Sequence, residues 1–589
     1  MATKVISLNI KPGIQRDGTQ FDAPVYVDGR WVRFQRGRPR KIGGYRGIFQ
    51  NAAGISRGMI SSSADGLNYV YSGWRDGIQQ WVTDNDNGVG SGPTNISLSD
   101  FTANDANLWQ MDIGFDASGS GKQTIVAHPG LNLVNIDNTT NTPVLIGDFP
   151  TGAMSQVGVF TAAGTMVVGP PSVFTINSIN ALIAIGQTVT GTGIPSGTTV
   201  TNVVIGSSTT DVTISTTATT AGALTLTFNN NISVSGGCVM LHPYLFVYGN
   251  DGLIKNSSAG NFQDWVSADA NENTVSAGKI VKGMPVRGGT TSPSGIFWSL
   301  DSVIRVSYAP QTVGTSTIYW RYDIVTSQSS ILSSSSVIEY DGIFFWCGVD
   351  RFLMYNGVVQ ELPNTMNTNY FFDNLNYAQR QKVWASKVPR WGEIWWFYPR
   401  GDSTECNDAI IYNVREKVWY DAGQARGANR SAGVFSEVFR KPIWACSMMN
   451  EENCYTLWQH ETGTDLVRGN QQSAVQSYFE TDSIGWVNGG PNQNDPIGMN
   501  NWIRLERVEP DFVQSGDMNM YVTGKGYASD NDVVSPPYVF TPTTLKIDLR
   551  EQRREMRLRF ESNTVNGNYE CGLNLLSADV GDVRSTGNP

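Results

Sequence analysis

The sequence predicts an all-β protein: a β-propeller of six or seven blades, a small inserted β module and a C-terminal β-sandwich. Three observations predict it. Short apolar runs bounded by Gly, Asn, Asp and Ser recur along most of the chain with almost no sustained 3.6-residue periodicity, which is the pattern of strands. These runs gather into groups centred roughly 40–55 residues apart, the repeat length of propeller blades. One stretch, VIEYDGIFFWCGVDRFLMYNGVVQEL at 337–362, displays a whole group: four apolar runs separated by turn residues.

In that stretch Asp341-Gly342 and Asn356-Gly357 separate the outer pairs of runs, and Gly348-Val349-Asp350 joins the middle pair. Asp-Gly and Asn-Gly tolerate φ > 0 at both central positions, so each reads as a two-residue type I′ hairpin. Four such strands make an up-and-down meander. One meander cannot bury both of its faces, so it implies neighbours of the same kind.

Residues 1–50 read as an extended N-terminal arm. Val32 and Phe34 alternate with Arg33 and Gln35 as in a half-buried strand, residues 37–39 form a turn, and Gly43-Gly44 permits a sharp bend. Arg30, Arg33, Arg36, Arg38, Arg40, Lys41 and Arg46 stand together with no acidic residue among them; a net charge of −10 less these 7 leaves −17 on the remainder. Such a cluster either touches nucleic acid or phosphate, or pairs with carboxylates of the same chain or a neighbouring subunit. The acidic remainder favours pairing and makes these seven the candidate interface residues.

The first part of the propeller occupies 51–150, with a hairpin at 68–82 around Arg75-Asp76-Gly77 and two further pairs of strands in 124–150. Composition then changes abruptly: between Phe149 and Asn250 the only charged residue is Asp211. Alternation in QTVTGTGIPSGTTVTNVVIG and DVTISTTATTAGALTLTF marks 151–232 as an inserted, neutral Thr/Val-rich β module, and the low charge argues against a solvated linker. Blades resume over 233–470, at 239–265, 295–325, 337–362, 383–423 and 432–458. From 471 to 589 the strands lengthen, as at 502–512 and 555–562, and read as a β-sandwich. There Met556, Leu558 and Phe560 should point inward, with Arg557 and Arg559 outward.

Composition bounds the function. At 589 residues several domains are expected. A net charge of −10 argues against a surface that grips nucleic acid throughout. The aromatic residues read as sheet packing. Six cysteines without a CxxC pair form neither a disulfide framework nor a zinc site, and Cys446 and Cys454 read as buried thiols. MATKVISLNIKPG lacks the apolar segment of a signal peptide, and no apolar run approaches a membrane span, so the chain is expected to be made in a cytoplasm and not inserted in a membrane.

Individual motifs do not amount to chemistry. Gly54-Ile55-Ser56-Arg57-Gly58 fits the hydrolase elbow G-x-S-x-G but lacks a preceding buried strand and a following helix. His128, His242 and His460 sit in no constellation that marks a base. Residues 116–123, DASGSGKQ, lack the first Gly and final Ser/Thr of a phosphate loop. Asp84-Asn85-Asp86-Asn87-Gly88 has Gly where a calcium ligand belongs. Asp301, Glu339, Asp350 and Glu361 would be the carboxylates of a glycan-cleaving propeller, yet each lies near a turn, where such residues are common. Ser63-Ala64-Asp65 begins a sialidase box that Leu67 and Val70 break. No catalytic, cofactor-binding or metal-ligating set is expected.

Two stretches carry a family resemblance. Asp28-Gly29-Arg30-Trp31-Val32-Arg33-Phe34, continuing into Gly37-Arg38-Pro39-Arg40-Lys41-Ile42-Gly43-Gly44-Tyr45, resembles the start of the tail nozzle proteins of short-tailed bacteriophages, also described as tail tubular or packaged-DNA stabilisation proteins. Arg554-Glu555-Met556-Arg557-Leu558-Arg559-Phe560-Glu561-Ser562-Asn563, with Tyr569 and Gly572-Leu573, is similar to their closing strands. Arg40 departs from the pattern, since many members read Glu there. The resemblance implies a structural virion protein in a homohexameric ring below the adaptor ring. Such a ring closes the DNA conduit until ejection and offers docking sites for tail fibres or spikes. Viral DNA would pass without sequence-specific binding, through a lumen expected to be acidic. The alternative is a glycan-binding or glycan-cleaving propeller.

Overall fold

Turn residues cut this chain into strands of two to eleven residues, and backbone hydrogen bonding assembles them into separate sheets. The computed structural model describes residues 4–18, 24–64, 66–83, 90–97, 108–115, 123–128, 134–137, 143–145, 159–180, 183, 185–229, 235–262, 264–265, 267–286, 292–314, 316–435, 439–485, 501–526 and 530–583. The protein is mostly β. Among the described residues the one α-helix is Thr368–Phe372, and no helix is long and apolar enough to cross a membrane.

Six four-stranded antiparallel meanders follow in chain order among the described residues. The first comprises Gly58–Ala64, Leu67–Trp74, Gly77–Thr83 and Gly90–Asn95. The second comprises Gln110–Phe115, Gln123–His128, Val134–Asp137 and Pro143–Leu145. The third is Gly237–Leu241, Tyr244–Tyr248, Leu253–Asn256 and Asn271–Thr274, and the fourth is Ile280–Pro285, Ser294–Ser299, Val303–Val313 and Ser316–Thr326. The fifth is Ile338–Tyr340, Ile343–Cys347, Phe352–Tyr355 and Val359–Glu361, and the sixth Trp384–Val388, Glu393–Tyr398, Asp408–Asn413 and Val418–Asp421. A seventh group, Arg430–Val434, Ile443–Cys446 and Tyr455–His460, takes its fourth strand from the other end of the chain. Tyr45–Ala52 pairs antiparallel with Tyr455–His460, with Leu457 opposite Phe49 and His460 opposite Tyr45.

The fifth meander explains why the groups need one another. Along Ile343–Cys347 successive side chains point to opposite faces. Phe344 and Trp346 pack with Ile296, Trp298 and Val303 of the fourth meander, while Phe345 and Cys347 pack with Ile394, Trp396 and Ile410 of the sixth. Both faces are therefore dry. Asp341 (φ 50°) and Gly342 (φ 82°) form the expected tight turn, with Tyr340 opposite Ile343. The Asn356-Gly357 turn differs from expectation. Tyr355 pairs with Val359, so the loop holds three residues; only Gly357 has positive φ, at 115°, and Val358 turns to solvent. Successive groups touch through their first strands or, at the fifth, through the turn Ser334–Ser336 that precedes it. Gly58–Ala64 lies beside Gln110–Phe115, that beside Gly237–Leu241, and that beside Ile280–Pro285. The turn Ser334–Ser336 leads on to Trp384–Val388, which lies beside Arg430–Val434, which returns to Gly58–Ala64.

Residues 1–50 are not a free arm. Lys4–Ser7 pairs with Leu575–Val583, and Asp28–Arg30 pairs with Ser477–Glu480. Val32–Gln35 and Arg38–Lys41 form a hairpin whose second strand meets Asn568–Cys571 at Arg40 and Glu570. The longer C-terminal strands thus build three sheets that each contain N-terminal chain. Their shared core, including Phe34, Phe479, Met520 and Phe560, is continuous with Trp395, Trp444 and Trp458 of the sixth and seventh groups. Met556, Leu558 and Phe560 are buried as expected, but Arg557 is buried too and Arg559 half-buried, because the far face of their strand meets charge rather than solvent.

Between the second and third meanders six strands from Val159–Val167 to Gly222–Asn229 form one sheet, with a core of Met166, Phe174, Ile176, Val189, Val212, Leu226 and Phe228 that, among the described residues, includes none from outside 159–229. That closed core leads to a prediction: residues 159–229 expressed alone give a β-type circular dichroism spectrum and a cooperative thermal transition. A non-cooperative melt would show that the sheet depends on the rest of the chain.

Candidate functional site

The seven basic residues of the N-terminal segment are drawn into the body of the protein to different depths. Arg33 lies deepest, its side chain 1% exposed. Its strand is short and aromatic on both sides, so one face of Val32–Gln35 enters the core and carries the guanidinium with it. Nε lies 2.8 Å from Glu393 Oε1 and Nη2 donates to Glu393 Oε2 at 3.0 Å. Nη1 and Nη2 donate to the two oxygens of Glu461 at 2.8 and 2.6 Å. The carboxylates are held in turn: Tyr420 donates to Glu393 Oε1 at 2.6 Å, Trp395 to its Oε2 at 3.0 Å, and Trp391 to Glu461 Oε2 at 2.7 Å. The Trp391 ring also lies under the guanidinium carbons of Arg33, Arg40 and Arg390, at 4.7, 4.8 and 5.0 Å.

Electrostatics divide the two glutamates. Burial, only partly offset by Arg33, pushes Glu393 above its ordinary value. Glu461 is half-buried; its desolvation is outweighed by Arg33 and the Trp391 N–H, which hold it below its ordinary value. Arg33 is opposed by its own burial and raised by the two carboxylates. The cluster is a largely buried ion triad in which one cation bridges two carboxylates, with Glu461 keeping 10% of its side chain exposed.

The other six residues are shallower. Lys41 is buried and donates to the Gly567 carbonyl at 2.8 Å; burial lowers it to about 8. Arg40 donates to Glu570 at 3.2 Å and to Gln35 at 3.1 Å, so the residue that departs from the family pattern has a partner in its own chain. Arg38 donates to the Gly572 carbonyl at 3.3 Å, and Arg30 to Gln476 and the Gln424 carbonyl, both at 3.2 Å. Arg36 is exposed at a turn whose two N–H groups, its own and that of Gly37, donate to Glu416 at 2.8 and 3.2 Å. Arg46 is exposed.

Two further charged clusters hold the same seam. Arg16 donates to both oxygens of Asp421 at 2.8 and 2.9 Å and also to Asp28, while Asp17 accepts from the N–H groups of Asn369 and Tyr370 at 2.9 and 2.8 Å. Next to Asp421, Asp408 is completely buried; burial and then the Asp421 charge push it up to about 6. Beyond Arg16 opens a cavity of 670 Å³. On its wall Arg557 donates to Glu480 and to Asp532, both at 2.6 Å, and Arg559 to Glu561 at 2.8 Å. Arg559 also lies 3.6 Å from the centre of the Tyr478 ring. Each cation here is already neutralised within the chain.

The motifs weighed in the sequence fall elsewhere. Ser56 is buried and bonded to Ser72 Oγ at 2.8 Å and to the Gly58 carbonyl at 3.3 Å, with neither His nor carboxylate beside it. Residues 84–88 and 116–122 lie outside the described residues. Asp301 accepts from Ser299 at 2.6 Å, Glu339 binds Lys387 at 3.3 Å, and Asp350 and Glu361 flank Arg351 at the surface. They form no common site. Two cavities of 170 and 180 Å³ at the first strands of the meanders have Arg57, Lys282, Lys382, Lys279 and Arg380 on their walls, and no Asp or Glu among the described lining residues. Cys446 and Cys454 are half-buried rather than buried. No group of three or more metal-binding side chains occurs among the described residues.

Sequence reading identified Arg33 but not Glu393, Glu461 or Trp391, which lie hundreds of residues away. The available signal was Glu393 itself, a carboxylate opening the run Ile394-Trp395-Trp396-Phe397.

No protein-family model matches the chain, and no curated protein matches it. Among solved structures it is similar to BBS1N, in a crystal structure of its complex with ARL6DN soaked with lead, at 10% identity over 70% of this chain and 97% of that one, with a TM-score of 0.33. A superposition that loose carries no argument.

Two outcomes are expected from this geometry. Arg33→Met leaves two carboxylates buried without their cation and should cost about 3–5 kcal/mol in urea unfolding, whereas Arg36→Ala should stay within about 0.5 kcal/mol. Equal effects would refute the difference in depth. For Asp408 the sign follows from its raised value. Between its ordinary 3.8 and about 6 the folded state binds the extra proton, so this group adds stability as pH falls through that window. The difference in unfolding free energy between the parent and Asp408→Asn should therefore grow in the parent's favour from pH 7 to pH 4; a flat difference would contradict it.

Proposed function

We propose that this chain is a structural virion protein, the nozzle subunit of a short phage tail, assembled as a homohexameric ring that closes the DNA conduit until ejection. One observation supports this above the rest. The two stretches that resemble the nozzle family, 28–45 and 554–573, lie at opposite ends of the sequence, yet they fold as one unit. Asp28–Arg30 and Glu555–Ser562 both pair with Ser477–Glu480, and Arg38–Lys41 joins Asn568–Cys571. A motif split across the chain but joined in space is what a single inherited structural element leaves behind.

In this reading the seven strand groups are blades of a closed propeller. The cyclic order of the contacts between groups and the use of Tyr45–Ala52 to complete the last group support closure. The inserted sheet is an appendage between two blades. Arg36 and Arg46, the exposed members of the basic cluster, are the ones available to a neighbouring subunit. The adaptor ring and tail fibres or spikes are the further partners. The net charge of −17 outside the basic segment, −10 less 7, suits a lumen that DNA traverses without being gripped.

Light scattering and negative-stain imaging of the purified protein test this. A six-membered ring is expected, alone or on adding the adaptor protein. A monomer that binds or cleaves cell-surface polysaccharide, with no ring in either condition, would overturn the proposal.

A further inference from the structure

Three arginines in this protein are buried among the described residues, and two of them conform to a rule. Arg33 meets Glu393 and Glu461, and Arg557 meets Glu480 and Asp532. Arg430 does not conform. Its side chain is as deeply buried as that of Arg33, yet no carboxylate pairs with it among the described residues. Nε donates to His460 Nε2 at 2.9 Å and Nη1 to the Asn429 carbonyl at 2.9 Å. Among the described residues the remaining amino group, Nη2, has no hydrogen-bond partner, while Nη1 also reaches the Arg426 carbonyl at 3.5 Å and Cys446 Sγ at 3.8 Å. The rings of Tyr45 and Trp458 lie 5.0 and 5.5 Å from the guanidinium carbon and supply π-electron density, which stabilises a cation less than a carboxylate does.

Arg430 forms part of the wall of a cavity of 270 Å³ between the seventh strand group and the hairpin Leu466–Arg468 with Gln471–Ser473. Arg426, which is exposed, and Arg468, whose Nε donates to Gln50 at 3.1 Å, line the same cavity. Against these three cations stands one carboxylate, the exposed Glu451. Burial pulls Arg430 below its ordinary value, and burial together with Arg430 holds His460 well below its own, so the imidazole is neutral and accepts on Nε2. The nearest ionisable neighbour therefore offers no counter-charge.

We infer that this cavity is an anion site for a small phosphate-class ligand, with Arg426 and Arg468 as its direct contacts and the unpaired guanidinium of Arg430 beneath supplying the charge that the chain itself leaves uncompensated. Planar, multidentate guanidinium groups suit a tetrahedral oxyanion better than they suit chloride. The cavity exceeds the size of a bare phosphate, so a phosphate monoester with a small organic group also fits. The inference is independent of the proposed role in a phage tail.

Calorimetric titration and thermal-shift measurement with inorganic phosphate and with phenyl phosphate, at fixed ionic strength in chloride, test it on the full chain. Saturable binding of at least one of them is expected, with the melting temperature rising in step. In the surface double variant Arg426→Gln/Arg468→Gln, affinity should fall about tenfold or more, as when charge-assisted contacts are lost. That variant should melt like the parent without ligand, which separates lost binding from misfolding. Tighter binding of phenyl phosphate identifies a monoester ligand; equal binding identifies free phosphate. Absence of saturable binding of both probes overturns the inference, as does binding that is unchanged in the double variant.

Discussion

Arg33 and its two glutamates set the terms for the rest of this structure. The triad joins three parts of the chain, the N-terminal hairpin, the sixth meander and the end of the seventh group, with Arg33 and Glu393 fully buried. In a dry environment an ion pair is worth little as net stability but a great deal as a constraint, because any arrangement that separates the partners strands a buried charge. The N-terminal segment therefore cannot leave the body while the core stays packed. Trp391, Trp395 and Tyr420 extend the same logic by giving three of the four carboxylate oxygens a further donor and leaving few alternative geometries.

Around this fixed point the packing repeats one solution. The fifth meander is apolar on both faces, as Phe344 and Phe345 illustrate, and lies between the fourth and the sixth. Large indoles recur at contacts between groups, with Trp298 and Trp346 centred 5.7 Å apart and Trp395 and Trp444 5.3 Å apart. Some of their N–H groups donate to nearby oxygens, Trp346 to the Ser330 carbonyl and Trp396 to the Ser336 carbonyl. The indoles thus act as rigid spacers that also bond the loops between sheets.

What the sequence made legible was local. Asp341-Gly342 stated its turn, alternation at 555–562 stated a strand with Met556, Leu558 and Phe560 inward, and the loss of charge after Phe149 marked where the composition of the chain changes. What it hid was partnership across distance. Nothing near Arg33 announces Glu461, and nothing at Tyr45 announces that it will lie opposite His460. The outward assignment of Arg557 failed for the same reason, since alternation tells which face a residue takes but not what covers that face. At 356–358 the dipeptide suggested the turn, but strand register decided its length.

The pairing of Tyr45–Ala52 with Tyr455–His460 has a kinetic consequence. Arg33 and Glu461 are 428 residues apart, so at ribosomal rates the N-terminal segment waits roughly 20 to 90 s before its partners exist. During that interval it carries an unpaired strand edge and a row of unneutralised arginines, while each meander pairs strands that are neighbours in sequence. Synthesis of Tyr455–His460 and Glu461 releases the N-terminal segment from that wait. A chain that stopped before Tyr455 would therefore leave Tyr45–Ala52 without its partner strand.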